Sequence, residues 1–201
     1  VGAMAAAGCF SFYPSKNLTV FGDGGILVTD NEAIAQYCRM LRDHGRKEKY
    51  EHELIGYNLR FNEIQAAVGR LQLQKLDGFN ESRRQIAHWY GEGLKGLPVI
   101  TPKVKGWAEP VFHLYVIQTS KRESLAAYLK ERGIQTGIHY PIPNHLQPAV
   151  RTALGPQPKL ERTEKVAQEI LSLPIYPDLG KEQVDFVCTE LRRFFGQQSV
   201  M

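Results

Sequence analysis

Hydrophobic positions in the first half of the chain fall into one short β-rich run followed by a helical stripe. Residues 25–29 form an apolar run that predicts a buried strand. Apolar residues then recur at helical spacing as far as Leu41, and either Asp30 or Asn31 can cap this helix. The polar and charged segment 44–57 predicts a loop or an excursion from the core. Strand, turn and helix in this succession indicate an α/β layer.

A long amphipathic helix is predicted to begin near Ile64, and its helical tendency resumes as far as Tyr90. Such a helix either bridges two domains or supports a subunit interface, and a solvated helix on one domain is the alternative. The segment 91–106 is rich in glycine and proline, which marks a domain boundary. We therefore expect one domain over residues 1–95 and a smaller one over residues 96–201.

The second half of the chain predicts a small α/β domain. Residues 111–119 carry apolar side chains on both faces, as a central strand does. Ser120 and Glu123 have the spacing of a helix capping box, and residues 134–140 predict a further strand. Two helices close the chain. The first has Val166, Ala167 and Ile170 at helical spacing and is expected to stop before Pro174. The predicted fold class is therefore α/β.

Composition places the chain among soluble globular proteins. Of its 201 residues, 43% are hydrophobic and 23% are charged, which excludes the disordered and fibrous classes. The net charge of +4 suits an anionic small molecule, but no concentrated basic run argues for nucleic acid. The three cysteines are widely spaced, so we expect a reduced, cytoplasmic setting. No apolar run reaches membrane-spanning length, and no histidines have metal-ligand spacing, so we expect neither membrane nor metal binding.

Lys16 is the first candidate for chemistry. It lies in a compact turn sequence between apolar residues and the glycine-rich segment 22–25. An amine that forms an imine with a carbonyl compound must lose its proton, and a partly desolvated site favours the neutral form. A solvated surface lysine is the alternative that these residues alone leave open.

Five separated blocks of sequence resemble the DegT/DnrJ/EryC1/StrS family of sugar aminotransferases. The blocks are residues 11–17, 22–25, 56–60 with 63–67, 111–116, and 139–143 with 145–148. The resemblance implies a fold-type I enzyme that depends on pyridoxal 5′-phosphate and acts on keto-sugars attached to nucleoside diphosphates. It also implies that the chain holds the end of the large aminotransferase domain and a small C-terminal α/β domain.

The resemblance implies a role for each of five residues. Lys16 matches the lysine that holds the cofactor as an imine and later moves a proton between substrate and cofactor. Ser11 matches the hydroxyl that binds the cofactor phosphate. Asn58 matches the asparagine that reaches this phosphate from the neighbouring subunit of a dimer. His139 and Tyr140 match the place where the C-terminal domain approaches the substrate, which implies contacts with sugar hydroxyls or diphosphate oxygens.

Ordinary structural roles stay open for several of these positions. Ser11 could be a turn residue, Asn58 a turn residue or helix cap, and His139 with Tyr140 a packed strand end. Arg60 could add charge near a phosphate or pair with a surface acid, and the sequence does not decide between them.

Within the family, the residue at position 16 discriminates between two reactions. Members that dehydrate their substrate place a histidine where this chain has Lys16, so amino transfer is implied. The block 139–143 favours a 3-keto sugar over a 4-keto sugar, and glutamate is the expected amino donor. The alternative is a catalytically inactive homologue that acts as a scaffold or regulatory partner. Retention of Ser11, Lys16 and Asn58 together argues against that alternative.

The chain also departs from the family pattern. Complete members are longer, and the acid that pairs with the pyridinium nitrogen of the cofactor precedes the lysine. No Asp or Glu precedes Lys16 in this sequence. We therefore expect the C-terminal half of such an enzyme, inactive alone. Either a second polypeptide supplies the rest, or the chain is a truncation or a proteolytic remnant. The expected protein partner is accordingly a second copy, in a homodimer of the complete enzyme, or a complementary N-terminal chain.

Overall fold

The computed structural model describes residue 2 and residues 4–197. The chain divides into two compact units, unit 1 from Val1 to Gly78 and unit 2 from Phe79 to Met201. Helices and strands occur in both units, which confirms the predicted α/β class. No helix in the described part is long and apolar enough to cross a membrane.

Unit 1 contains two hairpins and two helices. Its elements are β1 (Gly8–Ser11), β2 (Gly25–Val28), α1 (Glu32–Leu41), β3 (Arg46–Glu48), β4 (Glu51–His52) and α2 (Glu63–Leu73). Strands β1 and β2 pair antiparallel, as do β3 and β4. The segment 44–57, expected as a loop or an excursion, therefore contains the short hairpin of β3 and β4.

Strand β2 confirms the prediction of a strand but not of its burial. All four of its residues are exposed, and Ile26 keeps 49% of its surface accessible. The reason is that β2 pairs only with β1 in a two-stranded sheet. Apolar content predicted a covered strand, whereas the described part of unit 1 leaves the hairpin open on its faces.

Helix α1 begins where the sequence predicts. The Asn31 side chain accepts hydrogen bonds from the backbone N–H groups of Ala33, at 3.0 Å, and Ile34, at 3.2 Å. These bonds satisfy two of the donors that a helix N-terminus leaves free. Of the two candidate caps, Asn31 is therefore the one used.

The predicted long helix is two helices. Helix α2 ends at Leu73, and α3 (Leu76–Gly93) begins after a short turn. Helix α3 buries Ile86, Ala87 and Tyr90 in the hydrophobic core of unit 2. The boundary expected at residues 95 and 96 consequently lies inside unit 2, and the division into a large-domain part and a small domain stays a prediction.

Unit 2 continues with one two-stranded sheet and several helices. Its further elements are β5 (Tyr115–Gln118), α4 (Arg122–Glu131), a 3-10 turn (Asn144–Leu146), α5 (Pro148–Leu154), α6 (Glu161–Glu169), β6 (Ile170–Leu173) and α7 (Lys181–Gln197). Strands β5 and β6 pair antiparallel, from Tyr115 opposite Leu173 to Gln118 opposite Ile170. Helix α4 packs against β6 and against α7, and the two helices bring fully buried residues to one core, among them Leu125, Leu129, Val184 and Leu191.

Three local predictions in unit 2 are wrong. Residues 170–173 form β6 instead of the end of a helix, because they pair along their whole length with β5. The expected capping box at Ser120 is absent, since Lys121 occupies the N-cap of α4 without a side-chain hydrogen bond to the helix. Residues 134–140 form no strand and contribute only the bridge between Gly137 and Ser172.

Candidate functional site

A tight turn presents Lys16. The backbone N–H of Lys16 donates to the carbonyl oxygen of Tyr13 at 2.8 Å, which closes a four-residue turn. Pro14 occupies the second position, where its fixed φ favours such a turn. Lys16 is half-buried at the end of this turn and makes no salt bridge with any residue that the structure describes. The turn therefore fixes the backbone of Lys16, and its amine has no acidic partner among the described residues.

Ser11 is joined to the same turn. It ends β1, and its Oγ accepts a hydrogen bond from the backbone N–H of Tyr13 at 3.2 Å. A hydroxyl that accepts one hydrogen bond still has its own O–H to donate. Because Ser11 is exposed, this donor is accessible to an anionic group.

The glycine-rich segment packs closely against residues beside α2. The backbone N–H of Phe12 donates to the carbonyl oxygen of Gly24 at 2.8 Å, and this bond continues the pairing of β1 with β2. A Cβ atom on Gly24 would lie 2.7 Å from the ring of Phe61, and one on Gly25 would lie 2.9 Å from a backbone oxygen. A side chain at Gly25 would therefore press on the backbone of β1, and one at Gly24 would have to displace the Phe61 ring, so the segment that follows Lys16 is closely packed.

The side chain of Asn58 is oriented by Arg60. Arg60 Nε donates to Asn58 Oδ1 at 3.1 Å. Since a guanidinium can only donate, the amide oxygen faces Arg60 and the amide NH2 group remains available. Arg60 Nε also lies 3.9 Å from Oδ1 of Asp43. Both carboxylate oxygens of Asp43 accept hydrogen bonds from Arg46 Nη2, each of 2.8 Å. The hydrogen bond from Arg46 lowers the pKa of the Asp43 carboxyl, so the acid that holds Arg60 stays ionised.

His139 and Tyr140 lie in unit 2. The Nδ1 atom of His139 is 2.9 Å from Oγ of Ser172 on β6. Tyr140 is 70% exposed, and its ring meets the edge of the His139 ring at a centroid distance of 5.6 Å. His139 is therefore anchored to the sheet, whereas Tyr140 presents its phenol to solvent in this chain.

The structure links some of the predicted site residues and not others. Ser11 and Lys16 share one turn through Tyr13. Asn58 belongs to the same unit, but no described hydrogen bond joins it to either residue. His139 and Tyr140 belong to unit 2.

Sequence reasoning missed Ser172. It is the single polar residue within β6, is only 4% exposed, and contacts a predicted site histidine. A polar residue inside an apolar run was the signal that could have identified it. Among the described residues, no three His, Cys, Asp or Glu side chains cluster as metal ligands.

Several curated proteins are similar to the chain. A pleiotropic regulatory protein from Geobacillus stearothermophilus is 41% identical over 97% of this chain and 53% of its own length. The dTDP-3-amino-3,4,6-trideoxy-alpha-D-glucose transaminase of Streptomyces venezuelae is 44% identical over 96% of this chain and 52% of its own length. A UDP-N-acetyl-3-dehydro-alpha-D-glucosamine 3-aminotransferase from Acidithiobacillus ferrooxidans is 39% identical over 96% of this chain and 52% of its own length. The chain thus spans about half the length of these curated relatives.

A solved structure is similar to the chain over the same extent. The crystal structure of S. venezuelae DesV in complex with a ketimine intermediate superposes with a TM-score of 0.91 at 43% identity. The match covers 96% of this chain and 53% of DesV. The family model of the DegT/DnrJ/EryC1/StrS aminotransferases matches residues 1–192. With nearly its whole length matched by this model, the chain belongs to the DegT/DnrJ/EryC1/StrS aminotransferase family.

Proposed function

We propose that the chain supplies the catalytic lysine of a pyridoxal-phosphate-dependent aminotransferase that converts a nucleotide-linked keto-sugar to an amino-sugar. The observation that carries this proposal is the turn that ends at Lys16. It presents a half-buried lysine that makes no salt bridge with any described residue, in a chain of an aminotransferase family. A lysine amine outside an ion pair is free to condense with an aldehyde and form an imine.

The neutral donor groups of unit 1 fit a phosphorylated aldehyde. Ser11 offers an O–H and Asn58 an NH2 group, which are neutral donors suited to phosphate oxygens. Thr19, three residues beyond Lys16, has a buried Oγ1 without a hydrogen-bond partner among the described residues. A buried hydroxyl normally finds a partner, so this atom supports contact with a group from outside the described residues.

Each residue then has a task. When bound, pyridoxal 5′-phosphate supplies an electron-accepting ring that lets an amino group pass from the donor to the keto-sugar. Lys16 would hold the cofactor through Nζ and, as a free amine, move a proton at the reacting carbon. Ser11 would bind the phosphate within one chain, and Asn58 would bind it from the neighbouring subunit of a homodimer.

The substrate side of the proposal rests on unit 2 and on the relatives. His139 and Tyr140 would bind hydroxyl or diphosphate oxygens of the nucleotide sugar. A 3-keto sugar is favoured over a 4-keto sugar, because both transaminase relatives described above are named for the 3-position. Glutamate is the proposed amino donor, and the cytoplasm is the proposed location.

The acid that pairs with the pyridinium nitrogen is proposed to come from outside residues 1–201. No Asp or Glu precedes Lys16 in the sequence, whereas the cofactor needs that acid to act as an electron sink. We therefore expect no turnover by the chain alone. A complementary N-terminal polypeptide, or a complete homodimer, would supply the acid.

The test is a complementation assay. The chain is mixed with the N-terminal half of the Streptomyces venezuelae relative and assayed against UDP- and dTDP-linked 3-keto and 4-keto sugars, with glutamate as donor. We expect amino-sugar product from the mixture and from a Lys75→Arg control, which changes an exposed lysine beyond α2. Lys16→Arg should abolish product.

Two results would contradict the proposal. Product formation that persists in Lys16→Arg would remove Lys16 from the chemistry. A mixture that associates but forms no product with any sugar would favour the alternative, a scaffold or regulatory homologue. The name of the Geobacillus relative is the observation that favours this alternative.

A further inference from the structure

Ser172 is a buried serine on the outer face of β6. Its neighbours Leu171 and Leu173 are 0% and 3% exposed and belong to the hydrophobic core of unit 2. Because side chains alternate along a strand, Ser172 points to the opposite face of the sheet. It is nevertheless only 4% exposed, so another segment must cover it.

The covering segment is the one that carries His139. Gly137 exchanges two backbone hydrogen bonds with Ser172, of 3.1 and 2.7 Å. The His139 ring then places Nδ1 2.9 Å from Ser172 Oγ. A Cβ atom on Gly137 would lie 2.6 Å from His139 Cε1. The lack of a side chain at position 137 is therefore what makes room for the ring.

The serine hydroxyl suits this position chemically. In the described part of the chain, His139 is the one hydrogen-bond partner of the Ser172 side chain. A hydroxyl donates to an unprotonated ring nitrogen and accepts from a protonated one. The contact can thus persist in either protonation state of His139, which leaves Nε2 as the ring nitrogen available to a ligand.

We propose that Ser172 is a positioning residue that, together with Gly137, fixes the His139 ring so that Nε2 binds an oxygen of the nucleotide-sugar diphosphate. The inference rests on the proposed function, because it takes His139 to be a substrate-binding residue. Ser172 itself does not touch the substrate. Its contribution is to hold the imidazole before the ligand arrives, which reduces the ordering that binding would otherwise require.

The first experiment tests the positioning alone. Long-range ¹H–¹⁵N spectra of the chain report the ring nitrogens of its six histidines, and His139→Gln assigns the signals of His139. Ser172→Ala should move the His139 signals and leave the other histidines in place, whereas Ser172→Thr, which keeps the hydroxyl, should retain them. Gly137→Ala should also move the His139 signals, because the added methyl group would collide with the ring. Unmoved His139 signals in Ser172→Ala would overturn the inference, even if His139 binds substrate.

The second experiment tests whether the positioned His139 ring strengthens the binding of a nucleoside diphosphate. UDP is titrated into the wild-type chain and its variants, and binding is followed at the His139 signals and by calorimetry. We expect Ser172→Ala to bind UDP about fivefold more weakly, which is the effect of losing one hydrogen bond. Ser172→Thr should restore binding. Ser124→Ala, which removes an exposed serine hydroxyl on α4, should leave it unchanged.

The outcomes separate the two claims. If UDP leaves the wild-type His139 signals unchanged, the substrate contact of His139 fails, and this inference fails with it. If wild type responds to UDP but Ser172→Ala binds as tightly, His139 keeps its proposed role and only the positioning by Ser172 is overturned. A Ser172→Ala loss that Ser172→Thr reverses supports the inference.

Discussion

Replacing Arg83 tests what holds unit 2 together. The residue is only 6% exposed, and its Nη1 donates to the carbonyl oxygens of Phe112 and His113, both at 3.1 Å, and of Ile175, at 3.2 Å. Burial lowers the pKa of Arg83, but a guanidinium stays charged at any ordinary pH. One buried cation from α3 therefore ties together two segments that are distant in sequence.

The expected effect of Arg83→Met follows from these contacts. A hydrogen bond to a charged group contributes about 1.5–3 kcal/mol, and each buried carbonyl left unpaired costs about 1–3 kcal/mol. The guanidinium also pays a desolvation penalty that methionine avoids, and part of the freed carbonyl surface can rehydrate. We expect a net loss of about 3 kcal/mol in the free energy of unfolding.

Urea unfolding followed by the fluorescence of Trp89, which packs against the unit 2 core, measures this loss. The matched control is Arg84→Met, since the adjacent Arg84 makes ion pairs with the exposed acids Glu81 and Glu109. Such surface pairs contribute at most about 1 kcal/mol. If Arg83→Met were as stable as wild type, or changed stability no more than Arg84→Met, the hydrogen-bonding role of Arg83 would be refuted.

Three further predictions concern single side chains. Asn31→Ala should weaken α1 by about 1 kcal/mol through loss of its cap, whereas Asn31→Asp should retain it, as hydrogen exchange of the α1 amides would show. The hydrogen bond from His145 lowers the pKa of Glu164 below its usual 4.5. The stability that Glu164→Gln removes should therefore be present above pH 4.5 and disappear as the pH falls through the lowered pKa, and a pH-independent difference in urea unfolding would contradict this. Burial raises the pKa of Cys188 to about 11, so a thiol reagent should label it only on unfolding, whereas the exposed Cys9 should react in the native chain.

Features with local causes were predictable from the sequence. The cap at Asn31 depends only on a side chain and the N–H groups two and three residues later. The turn at Lys16 depends on Pro14, which lies two residues earlier. The family was predictable because its motifs are short blocks whose spacing survives in one sequence, and the match over residues 1–192 confirms it.

Features with distant causes were not predictable in the same way. The helical spacing of Val166, Ala167 and Ile170 predicted one continuous helix, but pairing with β5 converts residues 170–173 to a strand. Tertiary contacts of this kind override local preference. The exposure of β2 has a similar origin, because an apolar strand sequence does not reveal which element covers it. Ser172 escaped notice because its importance depends on a histidine 33 residues away in the chain.

The most direct test of the central claim is chemical trapping at Lys16. The chain is incubated with pyridoxal 5′-phosphate, with and without the N-terminal half of the S. venezuelae relative, reduced with borohydride, and digested for peptide mass spectrometry. We expect a pyridoxyl-phosphate label on the peptide that contains Lys16, strongest in the mixture, and no label above background at that position in Lys16→Arg. A label spread evenly over exposed lysines, with none enriched at Lys16 in the mixture, would contradict the assignment of Lys16 as the catalytic amine.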